Sequence, residues 1–259
     1  MSERKVLGFD QYIRLEWLEF TAARVAAGCG PAEVRDALFD LLDGVVGGRR
    51  QYSSRSKTVT VLTRIWSRVP DSAIYLQRRA VAALAQVDAQ ERLALHWAMA
   101  TGSYGFFHDV GTVIGRLLAL QGDVVQASIS RRMQEIWGDR VKVPNATQKV
   151  TRSIADWGGL EEGATKGLFK PRRSPIRVSG QIAEILLEAL LLRNDGQSLE
   201  VAQISRHPSL FPFDVELPAH KLRQSPTFEV HRQGLDVDVV RLAAPRGSDA
   251  IGGGSGQCA

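Results

Sequence analysis

The sequence predicts a mainly α-helical protein with an N-terminal helical bundle, a winged helix-turn-helix near its middle and a small C-terminal β-hairpin. Apolar residues recur at three- and four-residue steps through most of the first 160 positions, which is the helical period. Helix-breaking residues fall where those runs stop, at Gly28, Gly30-Pro31, Pro70, Gly122 and Gly158-Gly159. Two stretches, LEEGATKGLFKP and TFEVHRQGLDVDVVRL, have short apolar ends around glycine and read as paired strands.

Each element follows from its own residues. In DQYIRLEWLEFTAARVAA, Ile13, Trp17, Phe20 and Thr21 share one face, so a helix is expected from Asp10, its cap, to Ala27. Pro31 opens a second helix through Val34, Leu38, Leu41 and Leu42, and the pair forms a hairpin. A loop with Gly47-Gly48 leads to helices over about 54–69, 72–87, 89–101 and 104–120. After Gly122 come a helix over about 126–137 and another that opens on Pro144 and ends at Gly158-Gly159, followed by the first strand pair. On these two helices Ile129, Met133 and Ile136 are expected to face Val150, Ile154 and Trp157. The apolar segment QIAEILLEALLLR is a helix buried on most faces, and a Pro-rich, extended region from His207 ends in the second hairpin. The expected organisation is 1–110 bundle, 111–175 winged helix-turn-helix, 176–243 C-terminal helix and hairpin, and 244–259 a Gly- and Ser-rich disordered tail.

Composition sets the class. With 259 residues, 44% hydrophobic and 24% charged, the chain can bury a core with no disulfide or metal to staple it. Cys29 and Cys258 are the two cysteines, and the second sits in a tail that holds no partner geometry, which suits a reducing cytoplasm. Residues 1–10 lack a signal peptide's apolar run, and charge or glycine interrupts the helices before a membrane span. A soluble, cytoplasmic protein with no membrane partner is expected.

The net charge of +5 permits an anionic partner, and its distribution says more. Between Asp139 and Arg177 stand nine Lys or Arg against four acids, and the helix from Pro144 opens on polar and basic residues. Asn145, Thr147, Gln148, Lys149, Thr151 and Arg152 are the candidate readers of base edges in double-stranded DNA, with Lys166, Lys170, Arg172 and Arg173 on the flanking backbone. A solvated polar face on an ordinary helical unit is the plainer reading of the same pattern. A second basic stretch, Gly44 to Val87, holds eight cations and one acid; Arg49, Arg50, Arg55 and Lys57 are its candidate phosphate contacts. Alternatively Arg64 and Arg68 of that stretch pair with Glu16, Glu19 or Asp40, and the sequence leaves both readings open.

Chemistry beyond binding is not signalled. Walker, dinucleotide, nucleophile-elbow and zinc motifs are all missing, so no enzyme, cofactor or metal is expected. His96 and His108 have no metal-ligand spacing, and Trp97, Tyr104, Phe106 and Phe107 read as core. Asp236 and Asp238 lie two apart on a strand without a third acid and read as surface residues.

The helical bundle, the stretch carrying Trp97, Tyr104, Phe106, Phe107 and Asp109, and the later winged-helix-like segment together resemble the BrxA family of BREX phage-defence accessory proteins, over roughly residues 15–192. The resemblance implies a non-enzymatic DNA-binding protein that works beside larger defence proteins such as a methyltransferase and an ATPase. It supplies no site residues, and the extended segment after His207 departs from the family pattern. Two other functions fit the same residues. One is a protein-protein adaptor within a complex, and the other is a winged-helix repressor that senses a ligand in the bundle.

Overall fold

The computed structural model of the chain describes residues 7–48, 53–194, 196–234 and 237–243. Its first helices form where capping chemistry and apolar period agree. Helix α1 (Leu15–Ala26) is followed by α2 (Pro31–Leu41), with Pro at its first turn and the Glu33 carboxylate accepting the Gly30 N–H at 2.6 Å. Helix α3 (Ser54–Trp66) is capped by Ser53, whose hydroxyl oxygen accepts the Ser56 N–H. After a short 3-10 turn at Asp71–Ala73 come α4 (Ile74–Leu84) and α5 (Ala89–Ser103), the latter capped by Asp88 on the N–H groups of Gln90 and Glu91. Helix α6 (Gly105–Gln121) ends on Gly122, whose φ of 78° is the left-handed conformation a C-terminal glycine supplies.

The middle of the chain then alternates. Strand β1 (Val124–Val125), helices α7 (Gln126–Trp137) and α8 (Lys142–Asp156), and strands β2 (Leu160–Glu162) and β3 (Leu168–Pro171) follow in order. They close a three-stranded antiparallel sheet in the order β1-β3-β2, with Val124 opposite Phe169 and Leu160 opposite Pro171. Buried Val124, Leu160 and Phe169 turn its inner side to the core, and the Gly167 carbonyl accepts the first N–H of α7.

The remainder is β4 (Ile176–Val178), α9 (Gly180–Arg193), β5 (Leu199–Glu200), α10 (Val201–Ile204), a 3-10 turn at Pro208–Leu210, β6 (Phe213–Val215), α11 (Ala219–Gln224), β7 (Phe228–Gln233) and β8 (Val237–Leu242). Helix α9 packs along α5 and α4, so its apolar residues join the N-terminal bundle in one continuous core. Its one deeply buried charge, Glu188, accepts from Arg79 at 2.7 Å, and Arg79 also reaches Glu184. Trp97 of α5 lies at the centre. Its ring meets Phe107, Trp157, Phe211 and Phe213 edge-on at 5.1 to 6.5 Å, and its indole N–H donates to the Ser209 carbonyl. Gly115 lets the Pro208 turn lie on α6, because a Cβ there would stand 2.0 Å from the Pro208 oxygen.

Several expectations are corrected. Asp10 does not cap a helix: residues 10–14 are not helical, and α1 begins at Leu15. The reason is tertiary. The Ile13 N–H donates to Ser153 Oγ and its carbonyl accepts the Trp157 indole N–H, so both backbone groups are spent on α8. Asp156 of α8 takes the capping role instead, accepting the Leu15 N–H at 2.9 Å and the Tyr12 hydroxyl at 2.7 Å. Ile136 is 42% exposed, and Trp137 turns inward in its place, with its indole N–H on Asp109. The region expected to be merely extended holds two short helices, and β6 pairs in parallel with β4. The hairpin of β7 and β8 stands where expected, Asp238 pairing with Arg223. Asp236, Cys258 and the tail from residue 244 lie outside the described residues, and among those described no helix is long and apolar enough to cross a membrane.

Candidate nucleic-acid interface

Helix α8 is enclosed on two sides. Val143, Ala146, Val150 and Ile154 pack toward α7 and the core, and the non-helical segment 9–14 lies across another side. What remains in solvent is one stripe, Lys142, Asn145, Gln148, Arg152 and finally Asp156, at the three- and four-residue spacing that lines one face of a helix. Arg152 is held in place by the Tyr12 ring, its guanidinium carbon 4.8 Å from the centroid. Burial and the bond to Asp156 push the Tyr12 hydroxyl's pKa above its usual range, so it stays protonated and donating.

Three nominated residues are not available to a partner. Thr147 and Thr151 are fully buried, their hydroxyls donating to the carbonyls of Val143 and Thr147 one turn back. Arg55 is 6% exposed, with its guanidinium 2.7 Å from Asp43 and donating to the Val46 carbonyl, so it ties the α2–α3 connection together. Lys149 is half-buried and donates to the Asp10 carbonyl at 2.8 Å, which makes it a strut between α8 and the segment before α1. Arg49 and Arg50 lie outside the described residues.

The nominated residues of the hairpin fare better. Lys166 stands in the turn between β2 and β3, and Lys170 and Arg173 are exposed beside it. Arg172 is half-buried, its guanidinium donating to the carbonyls of Gly158 and Ser174, so it braces the base of the hairpin. Glu161 faces Lys170 across the strands and accepts the Arg173 N–H, which tempers the positive charge on one edge. Lys57 is exposed, but on α3, which packs on α1, α2 and α5 and stands apart from the α8 stripe. Nor does Arg64 pair with the first helix. Glu16 is taken by Arg14 and Glu19 by Arg92 and His96, and Arg64 lies over the Tyr104 ring. Lys142 is the member of the stripe that was not nominated; its signal was its place three residues before Asn145.

One histidine is structural. His96 is fully buried, accepting the Trp66 indole N–H, and burial holds its pKa below the usual value against the pull of Glu19. Among the described residues no three His, Cys, Asp or Glu are grouped to hold a metal ion. Compared with models of known families, with curated proteins and with solved structures, the chain matches none.

Proposed function

We propose that this chain is a non-enzymatic protein that binds double-stranded DNA through a winged helix-turn-helix built from α6, β1, α7, α8, β2 and β3. The order helix, strand, helix, helix, strand, strand, with β3 between β1 and β2, supports that reading. The observation that carries the proposal is the exposed stripe of α8. A helix otherwise given over to packing turns outward a run of polar and basic side chains, Lys142, Asn145, Gln148 and Arg152, closed by the acid Asp156 at its C-terminal end, beside a hairpin bearing Lys166, Lys170 and Arg173. Asn and Gln hydrogen-bond adenine edges, and Lys and Arg serve guanine edges or phosphates. Membership of a phage-defence assembly rests on the resemblance to the BrxA family alone.

The test is fluorescence anisotropy on a duplex of about 30 base pairs, which spans two to three helical turns. The wild type is compared with a variant carrying Lys142→Ala and Gln148→Ala, neither of which touches the core. Binding is expected to weaken about tenfold in the variant, the sum of one lost phosphate contact and one lost base contact. Undiminished affinity refutes the placement of α8 in the groove. A second reading, docking to another protein, is favoured by Val141 and Ile136, which are 86% and 42% exposed at the α7–α8 turn. It takes over if no duplex binding is seen at low salt.

A further inference from the structure

We infer that the outward face of α3 holds the sugar-phosphate backbone of duplex DNA beside the stretch seated on α8, so that the DNA path runs from the winged helix onto the N-terminal bundle. The inference rests on the proposed reading of α8 for its duplex and adds a second surface to it.

The face is built of one kind of chemistry. Ser54, Lys57, Thr60 and Arg64 are exposed at the three- and four-residue spacing of one helix side, and Arg68 stands one turn further on, its N–H still bonded to the Thr63 carbonyl. The apolar side chains of α3, Val59, Val61, Leu62, Ile65 and Trp66, are all buried. From Ser54 to Pro70 the chain has no acid, and among the described residues Lys57, Arg64 and Arg68 make no ion pair. The inward-turned cations of the same basic stretch differ, Arg55 pairing with Asp43 and Arg79 with Glu184 and Glu188. On the adjoining α2, Glu33 is engaged by the Gly30 N–H and Asp36 by Arg35, while Asp40 and, beyond Arg68, Asp71 pair with none of the three. Cations that turn inward find carboxylates, and those on the outward face keep their charge unopposed.

Lys57 stands apart from the α8 stripe, and Arg64 closes the gap. Its guanidinium carbon is 5.4 Å from the Tyr104 ring centroid, the Tyr104 ring is 5.4 Å from that of Phe9, and the carbonyl of the next residue, Asp10, accepts from Lys149 of α8 at 2.8 Å. Along this line one tyrosine ring and residues 9 and 10 separate Arg64 from α8. The Asp10 carboxylate on the same line accepts from the Gln11 amide. Stacking on Tyr104 also holds the Arg64 charge in one place. From Lys57 to Arg68 the face runs about 16 Å at the helical rise, a length over which duplex DNA carries about nine charges. Cations and hydroxyls match phosphate and sugar oxygens, and the face lacks the apolar anchor that a protein partner would bury.

The experiment is fluorescence anisotropy on a duplex of about 30 base pairs at about 100 mM salt, with a variant carrying Lys57→Gln, Arg64→Gln and Arg68→Gln. A control carrying Arg116→Gln, Arg206→Gln and Lys221→Gln loses the same charge from other elements. All six side chains are exposed, so both proteins keep the fold, checked by circular dichroism and melting temperature. The α3 variant is expected to bind at least about tenfold more weakly than the wild type, and the control within about threefold of it. In a second arm, a photo-crosslinking benzophenone amino acid in place of Thr60 is expected to capture the duplex, and the same group in place of Gln224 is not. The inference is overturned if the α3 variant binds like the wild type, if the control loses as much, or if the group at Thr60 captures no DNA. The variant with Lys142→Ala and Gln148→Ala separates the two readings. If it alone loses affinity, α8 stands and the α3 face falls; if the α3 variant alone loses affinity, the face stands and the placement of α8 in the groove falls. Absence of duplex binding at low salt overturns both.

Discussion

On the proposed DNA-binding reading, removing Lys166 and Lys170 together, by substitution to Ala, is expected to reduce the salt dependence of duplex binding by an amount that follows from the number of exposed cations. Five exposed cations flank the α8 stripe and the hairpin: Lys142, Arg152, Lys166, Lys170 and Arg173. If each neutralises one phosphate, the slope of log K against log salt is about −4.5 for the wild type and about −2.7 for the double variant. A roughly fourfold rise in salt then weakens the wild type about 500-fold and the variant about 40-fold. Neither lysine packs into the core, and exposed substitutions of this kind shift stability by about 0.5 kcal/mol or less. Anisotropy titrations from about 50 to about 200 mM salt give both slopes. A wild-type slope shallower than about −1, or equal slopes for the two proteins, refutes the assignment of these cations to the DNA backbone.

Two further outcomes are expected of the fold itself. Gly115→Ala drives a methyl group into the Pro208 carbonyl, which a Cβ would meet at 2.0 Å, so the urea midpoint should fall by the equivalent of about 2 kcal/mol or more; an unchanged midpoint would show that the turn lies elsewhere in solution. His207 titrates at about 4 because burial, with His108 and Arg116 nearby, disfavours its charged form. The unfolded chain therefore takes up this proton first as pH falls, and stability present above pH 6.5 is lost progressively toward about pH 4. His96, lowered by burial, adds to the same loss, and denaturation midpoints across this window should flatten in His207→Gln; a profile as steep as the wild type's would assign the loss to other groups.

The helices were legible wherever sequence punctuation and tertiary structure say the same thing. Pro31, Asp88, Gly122 and Gly138 each stand at the helix boundary their chemistry demands. The β4–β6 pair was not legible, because three-residue strands pairing Ile176 with Phe213 carry no periodicity long enough to read. Residues 10–14 have helical spacing, and long-range bonds to Lys149, Ser153, Asp156 and Trp157 keep them out of α1. At the candidate site, polarity misled in two ways. Threonine looks solvent-seeking, yet inside a helix its hydroxyl donates to the preceding turn, so Thr147 and Thr151 are buried at little cost. Arg55 seemed unopposed because a charge count beginning at Gly44 stops one residue short of Asp43, its partner.

The bonds that lay residues 10–14 across α8 also set a timetable for biosynthesis. Ile13 leaves the ribosome before its partners Ser153 and Trp157, which are 140 and 144 residues behind it. At about 5 to 20 residues per second this segment waits on the order of 10 s before anything exists for it to dock on. During that interval the first helices can form their hairpin, while Tyr12 and Ile13 remain uncovered and the Leu15 N–H lacks its Asp156 cap. A segment made well before α8 is thus fastened only after it, and a translating ribosome that stalls before Trp157 holds a bundle whose residues 10–14 have no place to rest.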